Sequence, residues 1–172
     1  MALPPAQPLI LFLPDLEATR RVAAALCQAL EPRAVVYLKG PLGAGKTTLV
    51  RAVLEAAGFP GKVKSPTFTL VETYWTERFA VAHFDLYRLA EPEELEWIGF
   101  RDYLQADTVC FIEWPERGQA HLPAADLELS LRLEEKGRIL ELRASTPTGQ
   151  RIFDKITQLL AIHSEDVSHE RD

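Results

Sequence analysis

Short apolar runs alternate along this chain with stretches of helical period. LILFL, Leu9 to Leu13, is five consecutive apolar residues and predicts a strand. In DLEATRRVAAALCQALE, Leu16, Val22, Leu26 and Leu30 recur close to every 3.6 residues behind a capping Asp15, which predicts an amphipathic helix. AVVYL, Ala34 to Leu38, has the short continuous apolarity of a strand covered on both faces. Thr47 to Ala57 returns to helical spacing through Leu49 and Val53 and ends at Gly58. TFTLVETYW and FAVAHFDLY, rich in Thr, aromatic and β-branched residues and joined by the polar TER, predict a β-hairpin.

The second half continues the alternation. Glu91 to Ile98 predicts a helix with Pro92 at its first position, and Phe100 to Leu104 another helical turn. TVCFIEW, Thr108 to Trp114, is a second buried strand stopped by Pro115. Leu127, Leu129, Leu131 and Leu133 alternate with polar residues, and Arg138 to Ala144 can pair back across EEKG. Ile152 to Ile162 makes a last helix, and the polar stretch over 163–172 is expected to be disordered. The pattern predicts one α/β domain over 1–162, built on a central, mostly parallel sheet with added antiparallel hairpins and helices on both faces. At 172 residues, 47% of them hydrophobic, a single core suffices.

Charge narrows the partners. A formal net charge of -6 argues against a chain that grips nucleic acid unaided, because phosphate binding draws on clustered Lys and Arg. Cys27 and Cys110 are far apart with no metal-ligand spacing around them, which fits buried, reduced thiols. MALPPAQPLILFLP lacks the basic start of a signal peptide, and no segment reaches the roughly 18 apolar residues that cross a bilayer, so a cytoplasmic protein away from membranes is expected.

Between the strand AVVYL and its following helix lies GPLGAGKTT. Gly40, Gly45, Lys46 and Thr47 satisfy G-x-x-x-x-G-K-S/T in the context it requires, a buried strand before and a helix after. Glycines let successive N–H groups turn toward a phosphate, and the helix start adds its own unpaired amides and positive dipole end. Lys46 is therefore predicted to neutralise the β- and γ-phosphates of ATP, and the Thr47 hydroxyl to ligate Mg²⁺. The corner predicts the fold of P-loop nucleoside triphosphatases.

Such a cradle needs an acid at the end of a neighbouring strand. Glu113, closing VCFIE, is placed for it, and Trp114 beside it either covers the site or caps the core. His83 and Asp85 of HFDLYR leave one face of a strand together, making Asp85 a second acid for a metal-bound or attacking water, or else an ion-pair partner of Arg88. His83 reads as a hydrogen-bonded structural residue. In KSPTFTLVETY a turn at Ser65 and Pro66 precedes Thr67 and Thr69, which would share a strand side; Thr67 is the candidate switch that senses the γ-phosphate, or simply a strand residue. Asp15 to Thr19 and the C-terminal hairpin are candidate walls for an adenine pocket.

Taken together, GPLGAGKTT, KSPTFTLVETY, HFDLYRLAEPEELEWIGFRDYL and FIEWPERG resemble the TsaE (YjeE) family of bacterial P-loop ATPases, from about Pro14 to beyond Leu133. The resemblance implies a role in making the threonylcarbamoyl group on N6 of adenosine 37 in tRNA. It implies docking on the TsaB and TsaD heterodimer, tRNA contact only through that complex, and ATP hydrolysis that resets the transferase. It makes Gly43, Ala44, Gly45, Lys46, Thr47 and Thr48 the nucleotide-binding phosphate loop, Thr47 and Glu113 the magnesium ligands, and Asp85 a nucleotide-site acid needed for hydrolysis, so that Lys46, Asp85 and Glu113 are the candidate catalytic residues. Pro41 stands where the family usually has an acidic residue, which puts any partner contact of that acid in doubt. EPEELEWIGFRDYL is a candidate docking surface or an ordinary helix packed on the sheet. Two other classes share the cradle: a small-molecule kinase, disfavoured because Arg88, Arg101 and Arg117 are dispersed, and a nucleotide-gated binding module.

Overall fold

Alternation of apolar and polar positions resolves here into one sheet and the helices that cover it. A computed structural model describes residues 7–169, with Gln119 and 163–169 described through the backbone alone. In chain order the elements are β1 (Leu9–Leu13), α1 (Leu16–Ala29), β2 (Val35–Lys39), α2 (Lys46–Ala56), β3 (Val71–Trp75), β4 (Ala80–Asp85), α3 (Glu94–Trp97), α4 (Phe100–Gln105), β5 (Thr108–Glu113), β6 (Leu127–Glu134), β7 (Gly137–Ala144) and α5 (Pro147–His169).

The seven strands lie in the order β1-β7-β6-β2-β5-β4-β3. β6, β2, β5 and β4 run parallel to one another, whereas β7, β1 and β3 are antiparallel to their neighbours. The sheet is thus mixed, with a parallel core and antiparallel edges. For β3 and β7 the reason is local: the short turns after β3 and β6 return the chain at once, and a parallel pair needs a crossover of a dozen residues or more; β1 instead reaches β7 from the other end of the chain.

Alternating side chains give the sheet two buried faces. Val36 and Leu38 of β2 with Val109 and Phe111 of β5 pack under α1, α2 and α5, through residues such as Leu26, Val53 and Ile156. Val35, Cys110, Ile112 and Phe84 point the other way, onto Leu95 and Phe100 of α3 and α4. Phe84 meets Phe100 edge-on at 5.1 Å between ring centroids. Both cysteines are free and buried, and burial pushes the Cys110 thiol up to about 12. Among the described residues no helix is long and apolar enough to cross a membrane.

Several boundaries differ from the sequence reading. Residues 66–70 form a turn, closed by the Leu70 amide on the Pro66 carbonyl at 2.9 Å and by a left-handed Leu70, so β3 starts at Val71 and Thr67 and Thr69 do not share a strand face. The helix expected over Glu91 to Ile98 shrinks to α3, because Glu91 to Glu93 make only a turn and Ile98 caps the helix before the left-handed Gly99. β5 stops at Glu113, since Trp114 has φ 58°. α2 begins at Lys46, one residue early. α5 begins at Pro147, five residues before the expected Ile152; the Thr146 hydroxyl accepts the Gly149 N–H and Pro147 supplies a first-turn φ, a start signal present in the sequence. Of the stretch 163–172 expected to be disordered, 163–169 continue the backbone of α5 and 170–172 lie outside the described residues.

Candidate functional site

The loop joining β2 to α2 is held by three glycines with positive φ, at 142° for Gly40, 78° for Gly43 and 107° for Gly45. Gly45 is the N-cap of α2 and offers no side chain to its amides. One loop amide is used internally, Ala44 N–H to the Pro41 carbonyl at 3.2 Å, and the first helical bond runs from Leu49 N–H to Gly45 at 2.9 Å. The N–H groups of Gly43, Gly45, Lys46, Thr47 and Thr48 find no acceptor among the described residues. Five donors at the positive end of a helix suit an anion. Pro41, which lacks an N–H, sits before this set and contributes only its carbonyl.

Lys46 is 5% exposed. Its ammonium donates to the carbonyls of Gly40 and Pro41 and lies 3.9 Å from the centroid of the Trp114 ring. Burial pulls its pKa below the ordinary lysine value, against the nearby charges of Glu113, Asp85 and Glu116. No carboxylate pairs with it directly among the described residues. The left-handed turn at Trp114 brings the indole over Lys46, so this side chain covers the site, and Tyr87 packs on its outer side at 5.0 Å.

The strand-end acids meet because β4 and β5 are parallel and in register, with Asp85 opposite Glu113. Glu113 is 3% exposed, and one of its oxygens, Oε2, accepts from Thr47 Oγ1 at 3.0 Å and lies 2.6 Å from His83 Nε2. His83 is fully buried with Nδ1 unpartnered, which assigns Nε2–H as the donor to Glu113 and leaves the cheaper bare lone pair at Nδ1. His83 therefore fixes Glu113, and Glu113 fixes Thr47. Asp85 Oδ1 accepts from Tyr87 N–H at 3.0 Å. Burial pushes its carboxyl above the usual range, opposed first by that hydrogen bond; neighbouring Glu113 adds to the rise, and His83 and Lys46 lower it. The alternative Arg88 partnership is not formed: the Arg88 guanidinium stacks on Phe68 at 4.6 Å.

Around these groups lies a cavity of about 250 Å³, walled by Gly43 to Thr48, Asp85, Glu113, Trp114 and the Ser65–Thr67 turn, whose hydroxyls are 2.6 Å apart. Thr67 is on this wall as a loop residue. A second cavity of about 480 Å³ is lined by Leu13, Asp15, Thr19, Leu133 and Gly137, and shares Thr48 and Arg138 with the first. Asp15, Thr19 and the C-terminal hairpin thus line one hollow. Arg138 was missed from sequence, where it reads only as a strand residue; nothing local marks it. Trp97, at the centre of the candidate docking segment, is 80% exposed, while Leu95 and Phe100 of the same segment are buried against the sheet.

Among the described residues no cluster of three His, Cys, Asp or Glu side chains forms a metal cage. One hydroxyl and one carboxylate, both hard oxygen donors, are what Mg²⁺ takes from a protein when phosphates and water complete its shell. Thr47 and Glu113 fit that donor set.

Gly45 provides a check on the loop. A Cβ there would stand 2.6 Å from Arg138 Nη1, a side-chain end that can move, so the strain of a side chain at φ 107° is the larger effect. Gly45→Ala is expected to lose about 1 kcal/mol of stability, read as a lower urea midpoint. An unchanged midpoint would show that the loop does not hold this conformation.

A family model described as "Threonylcarbamoyl adenosine biosynthesis protein TsaE" matches residues 13–140. The chain is 51% identical over 123 residues to the tRNA threonylcarbamoyladenosine biosynthesis protein TsaE of Haemophilus influenzae, covering 72% of this chain and 78% of that one. It is 38% identical over 135 residues to the protein of the same name from Rickettsia felis, covering 77% and 78%. Among solved structures, the crystal structure of YdiB from Bacillus subtilis superposes with a TM-score of 0.74 at 23% identity, over 88% of this chain and 95% of that one, which shows a shared fold.

Proposed function

Because this chain belongs to the TsaE family of tRNA threonylcarbamoyladenosine biosynthesis proteins, we propose that it is a Mg²⁺-dependent ATPase that serves this modification by acting on a TsaB–TsaD transferase pair. The observation that carries the ATPase reading is the convergence of five unpaired amides and a buried, carboxylate-free Lys46 on one cavity that also holds two strand-end acids.

In this reading the five free amides of Gly43, Gly45, Lys46, Thr47 and Thr48 and the Lys46 ammonium take the phosphates of ATP, the ammonium exchanging the Gly40 and Pro41 carbonyls for phosphate oxygens. Thr47 and Glu113 hold Mg²⁺, which when bound neutralises charge developing on the transferred phosphoryl group. Asp85 is left to orient the attacking water. Its Oδ1 is spent on Tyr87 while its other oxygen has no partner among the described residues, and its raised pKa suits a group that accepts a proton as the water adds to the γ-phosphorus. The products are ADP and inorganic phosphate. Thr67, on the turn beside Ser65, is the candidate switch that reports the γ-phosphate to a partner, and the second cavity takes the nucleoside.

A kinase reading gains no support from the arginines. Arg88 stacks on Phe68, Arg101 pairs with Glu96 at 3.0 Å and Arg117 lies near Tyr87, so they do not converge on one lid. The acidic balance of the chain fits contact with tRNA through the transferase rather than directly. Phosphate release from ATP should be slow for the protein alone and faster with purified TsaB and TsaD. No stimulation at any ratio counts against the partner reading, and labelled phosphate on a metabolite would favour a kinase.

A further inference from the structure

We propose that Arg138 is a nucleotide-binding residue that grips the α-phosphate end of the bound nucleotide, an inference that rests on the nucleotide reading of the site. Arg138 is the second residue of β7, in register with Leu133 of β6 and Leu13 of β1. Its guanidinium lies against the N-cap of α2: a Cβ built on Gly45 would stand 2.6 Å from Nη1 and 3.2 Å from Cζ.

Two features set this side chain apart. It is half-buried, yet it makes no ion pair or hydrogen bond among the described residues, in a chain with 25 acidic against 19 basic residues. Arg20, Arg33, Arg101, Arg132, Arg143 and Arg151 find carboxylates, and the other described arginines, which do not, are exposed. It also stands where a cation is disfavoured, at the positive end of a helix dipole with Lys46 emerging from the same turn. An anion between these groups turns repulsion into attraction.

Its position names the anion. The phosphate cavity holds Asp85 and Glu113, the groups that act at the terminal phosphate, but the second cavity does not. Arg138 and Thr48 line both. A polyphosphate with its terminal group at the acids therefore brings its α-phosphate to Arg138, with the nucleoside beyond in the hollow of Leu13, Asp15 and Leu133. A planar guanidinium can hold two oxygens of that phosphate at once.

The α-phosphate is common to ATP and ADP, so both should feel its loss equally. Calorimetric titration of Mg·ATP and Mg·ADP into Arg138→Ala is expected to show Kd values raised by the same factor, about 10-fold or more, with Arg138→Lys between. In steady-state hydrolysis the loss should fall on KM more than on kcat. Thermal unfolding without nucleotide should stay at the wild-type temperature, since no partner is lost. Wild-type affinities in Arg138→Ala, a loss confined to ATP, or a fall in kcat with binding intact would each overturn the assignment while leaving the ATPase reading in place. If the wild-type protein takes up neither nucleotide, the reading of the site fails first and this assignment with it.

Discussion

Lys46→Ala is expected to abolish tight ATP binding, with affinity falling at least about 100-fold in calorimetry, the largest loss of any single substitution in this loop. The ammonium is buried, held by two carbonyls and an indole face, and its charged form is disfavoured by burial before any ligand arrives. A phosphate supplies the missing counter-charge in a site largely shielded from water, where a charge-assisted hydrogen bond is about twice as strong as a neutral one. The same features predict that the variant folds. Removing a desolvated cation breaks no ion pair, because Glu113 is held by Thr47 and His83 and Asp85 by the Tyr87 amide. Thermal unfolding at or above the wild-type temperature, together with lost binding, separates a ligand role from a structural one. ATP affinity that survives the substitution would mean that the Lys46 ammonium does not contact the phosphates.

What could be read without a structure was what is local in sequence. GPLGAGKTT carries its own geometry, since glycines permit the positive φ values and the next apolar-periodic stretch supplies the helix whose amides remain free. Glu113 was legible as an acid at the end of a buried run, and Asp85 and His83 as two residues on one strand face. Their meeting was not legible. It depends on β4 and β5 being neighbours in parallel register, a pairing set by the packing of the whole sheet. The His83 to Glu113 to Thr47 chain exists only after three separate elements assemble. Arg138 lay further out of reach, because its role comes from a hairpin folding back beside β2 through β6 and reaching the start of α2. The antiparallel edges were readable as hairpins, but not the strands they would flank. At Thr67 strand propensity misled, because a turn opened by Ser65 and Pro66 continues to Leu70.

The division of labour between the two acids gives the second large effect. Glu113→Gln keeps the side chain's shape and an oxygen for Thr47 or His83, but removes the charge that would face Mg²⁺, so turnover is expected to fall on the order of 100-fold. The half-saturating Mg²⁺ concentration should rise with it. Asp85→Asn should also lower turnover, because an amide cannot take the proton of an attacking water, yet Asp85 is not a proposed magnesium ligand and its half-saturating Mg²⁺ should stay at the wild-type level. Steady-state hydrolysis titrated with Mg²⁺ at fixed ATP reads both quantities at once. Equal Mg²⁺ shifts in the two variants would merge the acids into one shared metal site, and full turnover in Glu113→Gln would remove that residue from the metal altogether. Separate roles have a geometric basis: Glu113 is tied to the Thr47 hydroxyl, at the start of the helix proposed to hold the phosphates, whereas Asp85 is tied only to the backbone that follows its own strand. One acid is coupled to the nucleotide's anchor and the other is free to follow the water.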